Sequence, residues 1–452
     1  MVPCGQYRGI CPIGGESDRN SCRAGGRKSM NQKDREFKIL IYGEYFLPVI
    51  GGVQTSMNLL ARGLVELHSR RGKGTHEGKI DVTVVTRTAA DGADDSFFPY
   101  RVVRQPGFWQ LAKLIRDADV IHLAGPCLLP MTIGWLIRKP VVVEHHGYQA
   151  ICPNGLLFRE PSRTVCPGYF GQRQYEKCMR CASATMGQLG ALRALLLTFP
   201  RRWLSGRVAA NITISDHVAA RLKLPRSRTV YYGIEEAPAT GTKIAPPARN
   251  AFHMAYVGRL VVEKGPALLL EAAKHLADDG VCVQLSFIGG GPERARLEKL
   301  ADLLRLRNSS RFTGDLRGHQ LDEAVAKIDL VVMPSLCEET AGLSAIEQMM
   351  RGRVVIVADI GGLSEVVGDA GLKFIPGDSK ALAACILKVI DNPSLVLSLG
   401  SMARERATRL FGLGNMIAQH VSLYREVSLG EIQKRGTDGV ERDSEVKRIR
   451  RC

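Results

Sequence analysis

The sequence predicts an α/β chain of two doubly wound parallel sheets facing each other across a cleft. Three observations predict it. Short apolar runs alternate with stretches of helical period, the pattern of parallel sheets covered by helices on both faces. The alternation stops at residues 238–250 (PATGTKIAPPARN), a Pro-, Gly-, Ala- and Thr-rich linker, and then restarts. Glycines recur where apolar runs end and helices begin, as at Gly51-Gly52 and Gly289-Gly290-Gly291. The 452 residues, 45% hydrophobic and 24% charged, provide core for two domains. That composition excludes a disordered chain, a collagen-like fibre and a multi-span membrane protein. No window approaches the roughly 18 uncharged apolar residues of a spanning helix.

Residues 1–36, rich in Gly, Ser and charge, read as a disordered basic tail without the apolar core of a secretory signal. Met30, just before the first ordered-looking segment, is a candidate start. The first half, 37–237, opens with the buried-strand run Phe37 to Gly43 (FKILIYG). A helix over Gln54 to His68 follows, with Met57, Leu60, Leu64 and Leu67 on one face. Further strands are expected at Ile80–Thr86, Asp119–Ala124, Pro140–His146 and Val208–Ile214. In the second half, 251–412, strands are expected at Phe252–Gly258, Val281–Gly289, Leu330–Pro334 and Arg353–Ala358. Its helices are expected at Pro266–Asp279, Glu293–Leu306, Leu343–Arg351, Lys380–Asp391 and Ser394–Phe411. Both halves are thus Rossmann-like. A helix over 413–429 is expected to pack back on the first half, ahead of a charged tail, 430–452.

Sixty-two Lys and Arg against 45 Asp and Glu give a net charge of +17, which favours anionic partners. Between Arg101 and Arg228 stand 19 basic and 6 acidic residues. The excess forms no basic stripe interleaved with aromatics, which are only 6% of the chain, so no nucleic-acid partner is expected.

In open α/β sheets, ligands bind at the carboxyl ends of strands, against helix N-termini. Four loops of that kind carry candidate chemistry. Gly51-Gly52-Val53 opens a helix and lets amides approach an anion; a plain strand-to-helix turn explains it equally well. Gly258-Arg259-Leu260 with Glu263-Lys264-Gly265 sets two cations five residues apart, a clamp for a diphosphate or a solvated pair. Gly289-Gly290-Gly291-Pro292 permits close backbone approach to a nucleotide. In EETAGLSAIE, amides near Gly342 and Leu343 suit a phosphate. Glu339 and Glu347, eight residues apart, suit vicinal sugar hydroxyls, although acidic first turns are also ordinary caps.

Taken together, GGV, VGRLVVEKG, FIGGGPERARLEKLA, FTGDL, MPSLCEETAGLSAIEQMMRG and ADIGGLSEVVGDAG resemble the glycosyltransferase family 4 pattern of the GT-B fold. The resemblance covers roughly Phe37 to Tyr424 and is strongest from Met254 to Gly371. It implies transfer of a sugar from a UDP- or GDP-linked donor, with retention, to a glycan or lipid-linked acceptor in surface polysaccharide or glycolipid synthesis. It implies that Arg259 and Lys264 bind the donor diphosphate and stabilise it as leaving group. It places Glu339 near the donor sugar, Glu347 on the ribose hydroxyls, and Gly52, Gly290, Gly342 and Leu343 against the donor. His146 is implied to face the reacting sugar, with His145 as competitor; neighbours on a strand point to opposite faces. Attack from the front face, without a required metal or cofactor, is expected. Four positions depart from the pattern: Ala341 for an aromatic, Gly147 for Asp, Tyr232 for Asn, and Gln348 for a small residue. These departures bear on which donor is used.

Cys152, Cys166, Cys178 and Cys181 resemble a Cys-rich subset of the same family. Four thiolates suit a structural zinc, and Cys178 and Cys181 have structural-zinc spacing. The separations of 14 and 12 residues are looser than a compact finger; disulfide or redox pairing and free thiols remain alternatives. The apolar, basic stretch Met186 to Trp203 is either a core helix or a surface for an anionic membrane; a cytoplasmic chain is expected, peripheral on the inner membrane face where the second alternative holds. A non-catalytic nucleotide- or nucleic-acid-binding scaffold with a Cys metal site is the competing reading.

Overall fold

A computed structural model describes residues 36–430, apart from 50, 71–78, 93, 161, 237–251 and 317. Met30, the whole of the expected linker and all but residues 36 and 430 of the expected tails lie outside the described residues. The first half contains β1 (Phe37–Gly43), α1 (Gly52–Arg70), β2 (Ile80–Thr86), β3 (Arg101–Arg104), α2 (Phe108–Asp117), β4 (Val120–Ala124), α3 (Leu128–Leu136) and β5 (Val141–His145). It continues through β6 (Phe158–Arg159), β7 (Thr164–Val165), α4 (Tyr175–Ser205), β8 (Ala210–Thr213), α5 (Asp216–Leu222) and β9 (Ser227–Thr229). Seven of these strands form one parallel sheet in the order β3-β2-β1-β4-β5-β8-β9, and β6 pairs with β7 as a small hairpin.

The second half contains β10 (Phe252–Val257), α6 (Pro266–Asp278), β11 (Val283–Ile288), α7 (Arg294–Leu303), β12 (Ser310–Gly314), α8 (Gly318–Ala326), β13 (Leu330–Met333) and α9 (Leu343–Met350). Then come β14 (Val354–Ala358), α10 (Gly361–Val367), β15 (Leu372–Phe374), α11 (Ser379–Ile390), α12 (Pro393–Phe411) and α13 (Leu413–Ser428). Its six parallel strands run β12-β11-β10-β13-β14-β15. Both sheets share the order 3-2-1-4-5, so each has a crevice where the winding direction reverses.

The central strands β1, β4, β5, β13 and β14 are buried nearly throughout, which is why their apolar runs are uninterrupted. Six strands have no counterpart among those predicted: β3, β6, β7, β9, β12 and β15. They are two to five residues long and half-exposed, and carry little periodic signal.

The halves touch through side chains as well as chain crossings. Arg221 of α5 pairs with Glu338 at 2.9 Å. Glu365 of α10 accepts from the backbone N–H groups of Asp216 and His217 at the start of α5, and from the Tyr231 hydroxyl. After α12 the chain returns at Gly412, bridged to Ile234, and α13 buries Met416, Ile417 and Tyr424 in the core of the first half.

Candidate active site

The carboxyl ends of β1, β5, β10, β11 and β13 converge on one cavity of about 680 Å³. Its wall from the first half carries Gly51, Gly52, His146 and Tyr232; its wall from the second carries Arg259, Lys264, Gly290, Glu339, Gly342, Leu343 and Glu347. All nine residues expected to catalyse or hold the donor therefore share one space. A larger cavity of about 870 Å³ lies between α1 and α13, lined by Gly63, Leu67, Asn415 and Arg425, among others. It offers no glycine-rich strand end beside paired cations, so the chemistry belongs to the smaller one.

Lys264 ends a single 3₁₀ turn (Val262–Lys264) after β10, and Glu339 sits in the loop after β13. Lys264 Nζ lies 2.5 Å from Glu339 Oε2, and the nearly buried Glu339 also accepts from the Ser335 hydroxyl. Among the described residues Arg259 has no carboxylate partner; its backbone carbonyl accepts the Tyr256 hydroxyl at 2.6 Å. Of the clamp, one cation is matched by a carboxylate and one is free for an anion. Burial pushes the Glu347 carboxyl above its ordinary value, opposed by Arg351.

The glycine run divides its duties. A Cβ on Gly289 would stand 2.0 Å from the Gly258 carbonyl, and one on Gly291 would stand 2.2 Å from that of Leu260, both at positive φ. Those two residues let the loops after β10 and β11 lie against each other. Gly290 lines the cavity, its N–H donating to Asp315 at 2.8 Å. Gly289 borders the cavity as well, so of the three glycines expected to approach the nucleotide only Gly291 stays out of it. Gly342, at φ +81, turns the chain into α9 beside Glu339.

His145 and His146 separate as strand alternation requires. His145 is fully buried against Asn211, at 2.9 Å, while His146 lines the cavity. The His146 ring stacks on Tyr232, with Nδ1 2.8 Å from the hydroxyl, and its carbonyl accepts from Thr340 across the cleft. Burial lowers the His146 pKa, opposed by Glu144. Sequence reasoning missed Glu144, His122 and His420, three buried side chains grouped behind His146. The adjacent Glu144-His145-His146 was the one visible signal. Of the departures, Tyr232 is explained by its partnership with His146, and Ala341 is packed into the core, away from the cavity. Gln348 is buried with no hydrogen-bond partner for its amide; nothing in the structure explains it.

Cys152, Cys166, Cys178 and Cys181 gather where the β6–β7 hairpin meets the start of α4 and carry no disulfide. Burial, with the other three thiols nearby, pushes Cys178 up to about 12. Asn154 spans Cys152 and Cys181 at 2.9 and 3.5 Å.

Residues 243–406 match the family model described as glycosyl transferases group 1. A 2-deoxystreptamine glucosyltransferase of Streptomyces kanamyceticus is 28% identical over 259 residues, covering 54% of this chain and 67% of the relative. An alpha-D-kanosaminyltransferase of the same organism is 30% identical over 176 residues, covering 38% of this chain and 45% of the relative. The chain thus spans two thirds of one relative and under half of the other. Anabaena Alr3699/HepE, solved in complex with UDP-glucose, superposes with a TM-score of 0.61 at 18% identity, over 85% of this chain and 98% of that one. Arg259, Lys264, Glu339 and Glu347 fall on the wall of the shared cavity and inside the segment that matches the glycosyl transferases group 1 model, so the second half of the chain carries a glycosyltransferase segment on a GT-B-like fold.

Proposed function

We propose that the cavity takes a nucleoside-diphosphate sugar and passes its sugar, with retention, to a glycan or lipid-linked acceptor. The observation that carries this reading is the meeting of Arg259, Lys264, Glu339 and Glu347 with Gly52 and His146 around one space. A donor diphosphate would compete with Glu339 for Lys264 and take Arg259 as second cation. Charge-assisted bonds of this kind contribute roughly 1.5–3 kcal/mol each. Released from Lys264, Glu339 can accept two sugar hydroxyls, and Glu347 is placed one to two turns further on for the ribose. As the glycosidic bond breaks, charge develops on the departing phosphate where both cations already stand. The acceptor hydroxyl, approaching from the His146 side, hands its proton to that phosphate. HepE, solved with UDP-glucose, lends support to a uridine donor.

The acceptor's lipid character has its own support. Among the described residues no single helix is long and apolar enough to cross a membrane. Yet α4 exposes Leu189, Leu192, Leu196, Phe199 and Trp203 along one face, and Trp203 meets the exposed Trp135 edge-on at 5.2 Å. Arg193, Arg201 and Arg207 lie in or just after the same segment. An apolar stripe flanked by cations suits an anionic membrane surface. Co-sedimentation with vesicles containing acidic lipid, reduced in Leu189→Ser/Leu196→Ser, is the expected result; retention independent of lipid charge would reject it.

Thermal stabilisation by UDP, GDP, ADP and the matching nucleotide sugars tests the donor. A ligand at about 100 times its Kd adds roughly 2.7 kcal/mol. One base should raise the midpoint in the native chain and fail to do so in Lys264→Ala. No shift with any of them would refute the donor reading.

A further inference from the structure

Behind the cavity wall lies a polar cluster that sugar transfer does not use. Glu144 of β5 is 2% exposed, and its Oε2 lies 3.0 Å from Nε2 of His122 on β4 and 3.9 Å from Nε2 of His420 on α13. Both histidines are completely buried. The ligand atoms of His122, Glu144 and His420 all fall within 4.8 Å of one another, the only such set of His, Cys, Asp and Glu groups among the described residues.

The outer nitrogens show what the inner ones face. His420 Nδ1 is 2.8 Å from the Met416 carbonyl, which can only accept, so Nδ1 carries a proton. In the neutral ring Nε2 is then a bare lone pair, directed at a carboxylate with no hydrogen-bond partner. His122 Nδ1 is held by the Tyr424 hydroxyl at 2.9 Å, and its Nε2 also lacks a hydrogen bond of acceptable geometry. The buried lone pair of His420 facing the Glu144 carboxylate repels it, and a cation between them removes the conflict. Ring nitrogens anchored on the far side by a carbonyl or hydroxyl are the usual support of metal-ligating histidines.

We propose that His122, Glu144 and His420 bind a zinc ion. Two imidazoles and one carboxylate are a zinc donor set. Tetrahedral bonds of about 2.0–2.2 Å set donors roughly 3.4 Å apart, between the 3.0 and 3.9 Å found here. His146 Nε2, 3.6 Å from the same oxygen, is the nearest further donor. The ligands come from β4, β5 and α13, so the ion fastens the returning helix to the first sheet. Its role is structural, and its position is separate from the four cysteines.

The test is metal content of the full chain, purified without chelator or histidine tag. About one zinc per chain is expected in the native protein and in Cys178→Ser/Cys181→Ser, falling below about 0.1 in His420→Gln. A folded native chain that holds no zinc after loading and dialysis overturns the proposal. So does zinc that persists in His420→Gln and leaves with the cysteines. Should His420→Gln fail to fold, cobalt substitution of the native chain decides. Weak visible bands alone support nitrogen and oxygen ligands, whereas an intense thiolate-to-cobalt charge-transfer band overturns the assignment.

Discussion

The two walls of the cavity are built differently. The second half supplies its groups from loops directly after strands: Arg259 and Lys264 after β10, Gly290 after β11, Glu339 after β13. Each contribution is a short contiguous stretch, and much of the work falls to backbone and charge. The first half supplies one loop of that kind, Gly51-Gly52, and the stacked pair His146 and Tyr232, 86 positions apart, with Glu144 and, behind it, His122 and His420 around His146. A wall made of contiguous loops tolerates few local changes. A wall made of converging side chains should lose function by degrees.

The sharpest test of the loop-built wall is Lys264→Ala. It removes one of two cations from the position where phosphate charge develops, and loss of one such preorganised group costs about 10²–10³ in kcat. It also strands the nearly buried Glu339 without its partner at 2.5 Å. The expected outcome is at least a 100-fold fall in kcat/KM by initial-rate kinetics. A loss below about tenfold would mean that Arg259 alone carries the diphosphate.

Gly291→Ala tests the same wall through its backbone. The new Cβ would stand 2.2 Å from the Leu260 carbonyl at φ +154. The strain of separating two packed loops should lower stability by roughly 2–3 kcal/mol, read as a drop in the thermal midpoint. Gly290→Ala meets only the Asp315 carboxylate, at 2.9 Å, and should cost less stability and more donor affinity.

This contrast also explains what the sequence made legible. Buried central strands are continuous apolar runs, and the site loops of the second half follow them immediately, so Arg259, Lys264, Glu339 and Glu347 could be read in linear order. The edge strands β3, β9, β12 and β15 are short and half-exposed and left little pattern. The cluster at Glu144 was illegible for another reason. His122 and His420 are 298 positions apart and meet only because α13 returns to the first sheet. No spacing rule brings such residues together.

Closure of the cleft gives a smaller effect. Arg221 Nε and Glu338 Oε2 meet at 2.9 Å, with side chains 25% and 13% exposed. A partly buried pair of this kind is worth about 1 kcal/mol. Arg221→Ala should raise the donor KM roughly fivefold with kcat nearly unchanged. Equal falls in kcat and kcat/KM would instead place the pair's contribution in the transition state.

The mildest test is Tyr232→Phe, and it bears most directly on the wall of converging side chains. The substitution keeps the ring stacked on His146 at 5.7 Å and removes only the hydroxyl 2.8 Å from Nδ1. A hydrogen bond of this kind contributes about 0.5–1.5 kcal/mol, so kcat should fall about three- to fivefold while the donor KM holds. Tyr232→Ala removes the stack as well and should lose more, with a lower thermal midpoint. If the hydroxyl orients His146 toward the sugar, the loss in Tyr232→Phe appears in kcat. If the ring is held by packing alone, Tyr232→Phe matches the native enzyme and only Tyr232→Ala falls. The difference between these two variants therefore separates orientation from support, the one distinction that the loop-built wall, with its charges set by backbone, does not pose.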